Sequence, residues 1–300
     1  MPSPTPPDDY VSCANEYGRL RRIALCSSAH AFRGAEQIAR EWKLLNFTAP
    51  PDLALAQRQD EALRALLAEQ DVEIVECPGG EGVTLDGIYL RDAAIFTPRG
   101  VVLCRMGKAA RAAEPAAVGK FFAATGVPVI GSIESPGVLE GGDVMWFDER
   151  TVAVGRGYRT NEHGIAQLRA LLDSDGVEVI VVPLPHFRGP QDVFHLMSIL
   201  SPVDRDLAVA YSPLMPVPFR EWLLARGIRL VEVPDEEFDS MAGNVLALAP
   251  RRCLMLEGTP VTRARLETAG AHVLTYDGSE ISVKGGGGPT CLTRPLLRDP

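Results

Sequence analysis

The 300-residue sequence predicts an α/β fold in which five similar units surround one axis. Chemically distinctive residues recur at intervals of about fifty residues, each at the start of an apolar hairpin: Asp92, Asp143, His195, Asn244 and Cys291. Each interval reads as strand, turn, strand, helix and strand. Short-turn hairpins are antiparallel, whereas a doubly wound parallel sheet places one strand between helices. We therefore predict a single-domain, pseudo-symmetric propeller of five ββαβ units.

The second unit shows the pattern most clearly. Residues 92–106 read as two strands joined by a Thr-Pro-Arg-Gly turn, in which proline and glycine supply the turn chemistry. Residues 114–125 read as a helix, because Glu114 and Pro115 suit a first turn and Gly126 ends the periodic segment. Val-Pro-Val-Ile-Gly then reads as a buried strand.

The other units follow the same order. The first is looser, with a strand at 19–28, a long helix around 52–69 and a strand at 72–78. The predicted hairpin, helix and strand of the later units are 142–155, 160–173 and 177–183; 196–211, 218–227 and 228–234; and 244–258, 262–270 and 271–277. The last segment, 291–297, is a spare strand. Pairing with the first unit would close the ring and remove exposed sheet edges.

Composition excludes several function classes. The net charge of −9 argues against a nucleic-acid partner. No run of eighteen apolar residues occurs, and the first residues lack the pattern of a signal peptide, so we expect a cytoplasmic protein without a membrane partner. Six cysteines contain no Cys-x-x-Cys pair, so the cysteines lack metal-ligand spacing. We expect residues 1–15 to form a flexible tail and residues 16–300 the domain.

Cys291 follows a run of four glycines, Gly285–Gly288, which suits a backbone that must approach another group closely or must move. A thiol at such a loop edge is available for nucleophilic work, but it needs a cationic neighbour because little of it is thiolate at pH 7. Among five histidines, His195 alone occupies the recurring front position. Glu140, beside a glycine pair, is placed to orient that histidine as a third triad member does.

The carboxylates predict a cationic substrate. Asp86 and Asp92 flank what reads as a short strand, and six residues apart they would share one face of it. A guanidinium presents a planar fork to carboxylates and an electrophilic carbon to sulfur. Arg111 and Arg159 are then available for a substrate carboxylate at the far end of the site.

Taken together, these segments resemble a known group. Glu16–Ile23, Asp86 to Asp92, Leu139–Asp143, Arg159–Gly164, Phe194–Leu196 and Gly287–Cys291 resemble the guanidine-modifying enzymes of the pentein fold, and among them the dimethylarginine dimethylaminohydrolases. The resemblance covers nearly the whole chain from residue 16 onward.

The resemblance implies a five-bladed propeller that hydrolyses N-methylated arginine, or a close guanidino compound, to citrulline and an alkylamine. It implies Cys291 as the nucleophile, His195 as general acid and base, and Glu140 as the acid that orients it. It also implies Asp92 and Asp86 at the guanidinium, with Arg159 and Arg111 at the substrate carboxylate. The implied route passes through a covalent S-alkylthiouronium, without metal or cofactor. A homodimer is compatible with the sequence.

Three departures keep alternatives open. Arginine deiminases and amidinotransferases carry a His-x-Asp motif, whereas Met197 stands at the third position here, which leaves apolar room suited to a methylated guanidine. Arg91 replaces an acidic residue that often precedes the aspartate, and residues 27–33, where a substrate lid is expected, match poorly. Arginine deiminase, another guanidino hydrolase, an amidinotransferase and a non-catalytic pentein binding module therefore remain as alternatives.

Overall fold

The computed structural model describes residues 14–192 and 194–299, and within them the secondary structure follows the predicted repeat. The strands in chain order are β1 (Leu20–Leu25), β2 (Glu73–Glu76), β3 (Ala94–Thr97), β4 (Gly100–Leu103), β5 (Val129–Ser132), β6 (Val144–Asp148), β7 (Thr151–Arg156), β8 (Glu178–Pro183), β9 (Leu200–Asp204), β10 (Leu207–Ala210), β11 (Arg229–Glu232), β12 (Leu246–Ala249), β13 (Arg252–Leu256), β14 (His272–Tyr276) and β15 (Thr293–Arg298). The α-helices are α1 (Ser28–Phe32), α2 (Ala35–Glu41), α3 (Leu53–Ala68), α4 (Glu114–Ala124), α5 (Glu162–Leu172), α6 (Val217–Ala225), α7 (Asp235–Phe238), α8 (Pro260–Thr268) and α9 (Pro289–Leu292).

The strands form five three-stranded sheets in the described part of the chain, one for each unit. In every sheet the middle strand pairs antiparallel with one neighbour and parallel with the other, and in four of the five sheets the antiparallel pair is a hairpin. The first sheet has the order β15-β1-β2, so the C-terminal strand completes the N-terminal blade. The predicted five-bladed propeller and its closure by the spare strand are confirmed.

Two of the long helices start at capping residues. The Asp52 side chain accepts a hydrogen bond from Leu55 N at 2.8 Å and starts α3, and Asn161 accepts from Gly164 N at 2.9 Å and starts α5. Each long helix packs its apolar stripe on its own sheet; Leu168 and Leu172 of α5, for example, are fully buried with Trp146 of β6. Trp146 Nε1 also donates to Phe96 O of the neighbouring blade at 3.1 Å.

The recurring front residues meet around the axis. Asp92 accepts a hydrogen bond from the backbone N–H of Gly142 in the next blade at 3.0 Å. Asp143 accepts likewise from Leu196 N at 2.9 Å, and Asn244 accepts from Thr290 N at 3.0 Å. Equivalent side chains thus tie three of the blades to the blade that follows, and the prediction that these positions converge is confirmed.

Two local expectations were wrong. Asp86 and Asp92 do not flank a strand, because Leu85–Ile88 and Leu90–Ala93 are consecutive 3₁₀ turns. Alternation along a strand therefore does not explain why both carboxylates reach the site. Of the predicted tail, residues 1–13 lie outside the described residues, but Ala14 and Asn15 are buried and belong to the folded domain. No helix among the described residues is long and apolar enough to cross a bilayer.

Candidate active site

Two connected cavities lie at one end of the propeller axis and share His195, Cys291, Gly285 and Gly286 in their walls. The inner cavity, of about 20 Å³, is also lined by the charged side chains Asp86, Asp92, Lys108, Arg111 and Arg159. The outer cavity is wider, at about 260 Å³. The thiol and the imidazole therefore stand at the junction of a narrow charged chamber and a roomier entrance.

His195 is fixed by the turn that follows it. It precedes the 3₁₀ turn Leu196–Ser198, and its backbone N–H donates to the Ser198 hydroxyl at 3.1 Å. Its ring is buried, and Nε2 donates to Glu140 Oε2 at 2.7 Å. The other ring nitrogen, Nδ1, lies 3.9 Å from Asp92 Oδ1. The imidazole thus has one nitrogen held by Glu140 and the other beside a second carboxylate.

Glu140 is held in turn by four other contacts. Arg159 Nη1 donates to both carboxylate oxygens, at 3.2 and 3.0 Å, and the backbone N–H groups of Gly107 and Lys108 donate to Oε1 at 2.8 and 3.2 Å. Burial alone would raise the pKa of Glu140, but the His195 hydrogen bond and the Arg159 charge hold that pKa well below its usual range. Glu140 is therefore an ionised anchor for the imidazole.

The charge state of His195 follows from its neighbours. Burial lowers the pKa of the ring, but the carboxylates of Asp92, Asp143 and Glu140 outweigh burial and raise the pKa to about 9. The imidazole is accordingly protonated at neutral pH in the empty site, and it can donate a proton before it can accept one.

Asp92 is locked into a buried ion network. Its Oδ2 accepts a hydrogen bond from Arg111 Nη1 at 2.6 Å. The Glu114 carboxylate accepts from the same guanidinium, from Nε at 2.9 and 3.0 Å and from Nη2 at 2.7 Å. Arg111 Nη2 also donates to Tyr89 O at 2.9 Å. Burial raises the pKa of Glu114 to about 7 against the opposing effect of Arg111. The arginine thereby fixes the position of the Asp92 carboxylate.

Asp86 has a cation of the protein beside it. Lys108 Nζ donates to Asp86 Oδ2 at 2.6 Å and to Leu45 O at 2.7 Å. Both side chains line the inner cavity. A cationic ligand that binds Asp86 must therefore compete with the lysine, whose ammonium also tethers the chain segment at residue 45.

Cys291 opens onto both cavities from the short helix α9. Burial of the thiol, reinforced by Asp92, raises its pKa to about 11, whereas contacts with Thr290, the Gly288 backbone and Asn244 act in the opposite direction. The resting pair is thus a thiol and an imidazolium. A substrate cation placed beside the sulfur would lower the thiol pKa, as a nearby opposite charge does.

Glycines allow these groups to approach one another. A β-carbon on Gly142 would lie 2.6 Å from His195 Nδ1 and 2.8 Å from Asp92 Oδ1, where no such atom fits. On the glycine loop, β-carbons at Gly285 and Gly287 would collide with the Tyr89 side chain. The prediction that the four-glycine run serves close backbone approach is confirmed.

The outer cavity has one apolar wall and a polar rim. Its apolar lining consists of Phe194, Met197, Phe238, Met241 and Val283. Charged side chains at the rim include Arg188, Asp239 and Lys284. Arg188 pairs with Asp239 at 2.7 Å, so the rim is already partly neutralised.

Among the described residues, one cluster has ligand atoms close enough for a metal ion, namely Asp92, Glu140 and His195. Arg111 already pairs with Asp92 at 2.6 Å, and Arg159 pairs with Glu140 at 3.0 Å. A divalent cation there would face two guanidinium groups at close range, which is electrostatically unfavourable. The two carboxylates therefore suit a protonated His195 ring between them better than a metal ion.

Comparisons with known proteins identify the family. Residues 47–298 match the family model described as N,N dimethylarginine dimethylhydrolase, eukaryotic. The chain belongs to the dimethylarginine dimethylaminohydrolase family. It is 30% identical over 242 residues to the enzyme of that name from Streptomyces coelicolor, covering 81% of this chain and 86% of the relative. An arginine deiminase from Mycobacterium avium is 32% identical over 248 residues, which are 71% of this chain and 60% of that enzyme.

A solved dimethylarginine dimethylaminohydrolase from Pseudomonas aeruginosa, complexed with citrulline, has the same pentein fold. It is 25% identical, has a TM-score of 0.74, and the match covers 94% of this chain and all of that one. Membership of the dimethylarginine dimethylaminohydrolase family makes this protein a hydrolase of guanidino carbon–nitrogen bonds.

The structure places most of the predicted site residues of this family member around one cleft. Asp86, Asp92, Arg111, Arg159 and His195 line the inner cavity together with Cys291, and Glu140 lies directly behind His195. Asp143 does not line either cavity. It is buried, bonded to Thr160 at 2.6 Å and to the Leu196 backbone, and connects blades instead.

Two expectations about the site meet unforeseen surroundings in the structure. Arg111 and Arg159 line the inner cavity but are paired with Asp92, Glu114 and Glu140, so their contact with a substrate carboxylate stays a prediction. Residues 27–33 line neither cavity, whereas Asn46 and Thr48 are among the residues that line the outer one.

Sequence reasoning missed Lys108, Glu114 and the role of Asn244. The Arg111–Glu114 spacing of i, i+3 is a signal that could have been used. Lys108 carries no comparable signal, because its contacts with Asp86 and Leu45 are set by tertiary packing.

Proposed function

We propose that this protein hydrolyses N-methylated arginine, or a close guanidino compound, to citrulline and an alkylamine through a covalent intermediate on Cys291. The observation that carries the proposal is the placement of the Cys291 thiol, the Glu140-anchored His195 and the Asp92 carboxylate around one cleft. Asp92 and Asp86 supply the negative charge that a guanidinium needs.

The first half-reaction uses the charge states of the empty site. The bound guanidinium lowers the pKa of the Cys291 thiol, whose proton passes to solvent. The thiolate attacks the guanidinium carbon and forms a C–S bond. As the C–N bond to the methylated nitrogen breaks, His195 donates its Nδ1 proton to the departing amine, since Nε2 stays with Glu140. The product of this step is an S-alkylthiouronium.

The second half-reaction reverses the role of the imidazole. Neutral His195 accepts a proton from water as the water attacks the thiouronium carbon. The tetrahedral species then expels the Cys291 thiolate and releases the ureido product. Glu140 stabilises the imidazolium that forms again, and its own contacts with Arg159 and the Gly107 backbone keep it ionised.

The apolar wall of the outer cavity supports a methylated substrate. Met197, at the position where the deiminases and amidinotransferases carry an aspartate, is buried in this wall beside Phe194 and Phe238. Methyl groups gain about 0.8 kcal/mol for each buried carbon. We propose that the first role of Arg111 and Arg159 is to hold the carboxylates of Asp92 and Glu140 in place. The two arginines also line the inner cavity, where a substrate carboxylate would meet them.

Arginine deiminase is the second candidate, because deiminases are also among the relatives at comparable identity. A substrate panel separates the two: arginine, mono- and dimethylarginine, agmatine and guanidinoacetate, with ureido product and released amine both measured. We expect citrulline with methylamine or dimethylamine from the methylated arginines. Ammonia from plain arginine, with the methylated forms inert, would establish the deiminase instead. Cys291→Ser serves as the blank in every assay.

A further inference from the structure

The side chain of Asn244 contacts the sulfur of Cys291, although neither lies near the other in sequence. Asn244 is buried at the end of the turn before β12, and its Nδ2 lies 3.4 Å from Cys291 Sγ. We propose that Asn244 is a further catalytic residue, whose amide N–H donates a hydrogen bond that stabilises the Cys291 thiolate. This inference rests on the proposed function in that it takes Cys291 as the nucleophile.

The orientation of the amide is fixed by its oxygen. Asn244 Oδ1 accepts from the backbone N–H of Thr290 at 3.0 Å and from the Thr290 hydroxyl at 2.9 Å. The backbone group can only donate, so an amide turned the other way would set two donors against each other. The NH₂ group must therefore face the sulfur.

Tight packing keeps the amide in place. A β-carbon on Gly288 would lie 2.5 Å from Asn244 Oδ1, so the glycine loop rests directly on this side chain. Asn244 also has the blade-to-blade position that Asp92 and Asp143 have in their own blades. At this one position the connecting group is an amide, which, unlike a carboxylate, can connect blades through its oxygen and donate through its nitrogen.

The chemistry of the reaction needs such a donor. Burial and the Asp92 charge both disfavour a thiolate at Cys291, and Asn244 is one of the groups that act against them. A hydrogen bond to an ionised acceptor is about twice as strong as one between neutral groups. The sulfur is anionic before it attacks and again when the tetrahedral species expels it. A fixed N–H on that sulfur favours both events and transfers no proton.

The thiol chemistry itself gives the test. Purified full-length protein is alkylated with iodoacetamide between pH 6 and 10, and labelling of Cys291 is followed by peptide mass spectrometry. Asn244→Asp keeps an oxygen for Thr290 but turns an anionic oxygen towards the sulfur; Asn244→Ala removes both contacts. We expect Cys291 labelling at pH 8 to slow about tenfold or more in both variants, because the apparent thiol pKa rises by at least about one unit. The turnover number should fall more than KM changes.

A matched substitution controls for the change itself. Asn161→Asp alters another asparagine, the N-cap of α5, where aspartate caps equally well, and it should leave the labelling profile unchanged. Circular dichroism melting selects the variants that fold. A purely structural role would lower activity without moving the pH profile of labelling.

The two proposals fail in different ways. If Cys291→Ser is inactive but a folded Asn244→Asp protein labels within twofold of the wild type at every pH, the role of Asn244 is overturned and the proposed function stands. If Cys291→Ser still turns over substrate, the proposed function falls, whatever Asn244 does to the thiol.

Discussion

Replacing Glu140 with glutamine tests the link between imidazole geometry and activity. The variant keeps the size of the side chain but removes the charge that His195 Nε2 contacts at 2.7 Å. It also leaves the Arg159 guanidinium, which lies 3.0 Å from the same carboxylate, beside a neutral amide. The substitution therefore changes both the contact of Glu140 with the His195 ring and the ion pair with Arg159 that holds Glu140 in place.

The structure bounds the size of the effect. The pKa of His195 is raised from its ordinary 6.5 to about 9, and at about 1.4 kcal/mol per pKa unit the net stabilisation of the imidazolium is about 3 kcal/mol. Asp92 and Asp143 also contribute to this shift and remain in the variant, so loss of the Glu140 share alone lowers the rate by at most about 10²-fold. Replacing the orienting carboxylate of a serine-protease triad with an amide costs about 10⁴-fold through the wrong tautomer. We expect the turnover number of Glu140→Gln to fall between these limits, by about 10² to 10⁴.

Ureido product formation from the best substrate of the panel is the assay, with circular dichroism to verify folding. Glu162→Gln is the matched control, because Glu162 is exposed and its ion pair with Arg156 is solvated on both sides. A folded Glu140→Gln protein that keeps a turnover number within fivefold of the wild type would contradict this role of Glu140.

Three further changes probe separate parts of the account. Cys291→Ser should abolish turnover while the melting curve is retained; measurable product above the buffer rate would contradict the assignment. Gly142→Ala should lower the turnover number about tenfold or more, because its β-carbon would press on His195 and Asp92, whereas Gly157→Ala, which meets only ordinary contacts, should not. Because the pKa of His195 is raised to about 9, protonation of its ring stabilises the fold fully below pH 6.5, and this stabilisation is lost as the pH rises through 9. The difference in unfolding free energy between wild type and His195→Asn should therefore shrink by about 3 kcal/mol from pH 6 to pH 10. A difference that stays constant over this pH range would contradict the prediction.

Periodicity was sufficient to predict the architecture. Hairpin turns and helix caps are local signals, so the hairpins and long helices of the five units lie close to where the sequence places them, and the spare strand predicted at 291–297 pairs with β1. The front residues converge because closure of the ring brings equivalent turns of the five blades together. A regular repeat of about fifty residues is enough to predict this, since it puts each front residue at the same place in its blade.

Contacts that depend on the packing of different blades could not be predicted. Asp86 reaches the inner cavity through two 3₁₀ turns rather than a strand, and no pattern of alternation encodes that path. The pairing of Arg111 with Asp92 and of Arg159 with Glu140 depends on which cation lies nearest once the chain is folded. Sequence indicated the right residue types around the site but not which charges neutralise one another.

The proposed chemistry depends most on covalent attack by the Cys291 sulfur. Labelling with 2-chloroacetamidine, a cationic electrophile, tests this directly when activity and peptide mass are followed in the same sample. Buried Cys26, Cys77, Cys104 and Cys253 are internal controls. We expect one amidine adduct, on Cys291, formed in step with the loss of activity and slowed by substrate. A label on another cysteine, or full activity with Cys291 completely modified, would contradict the account.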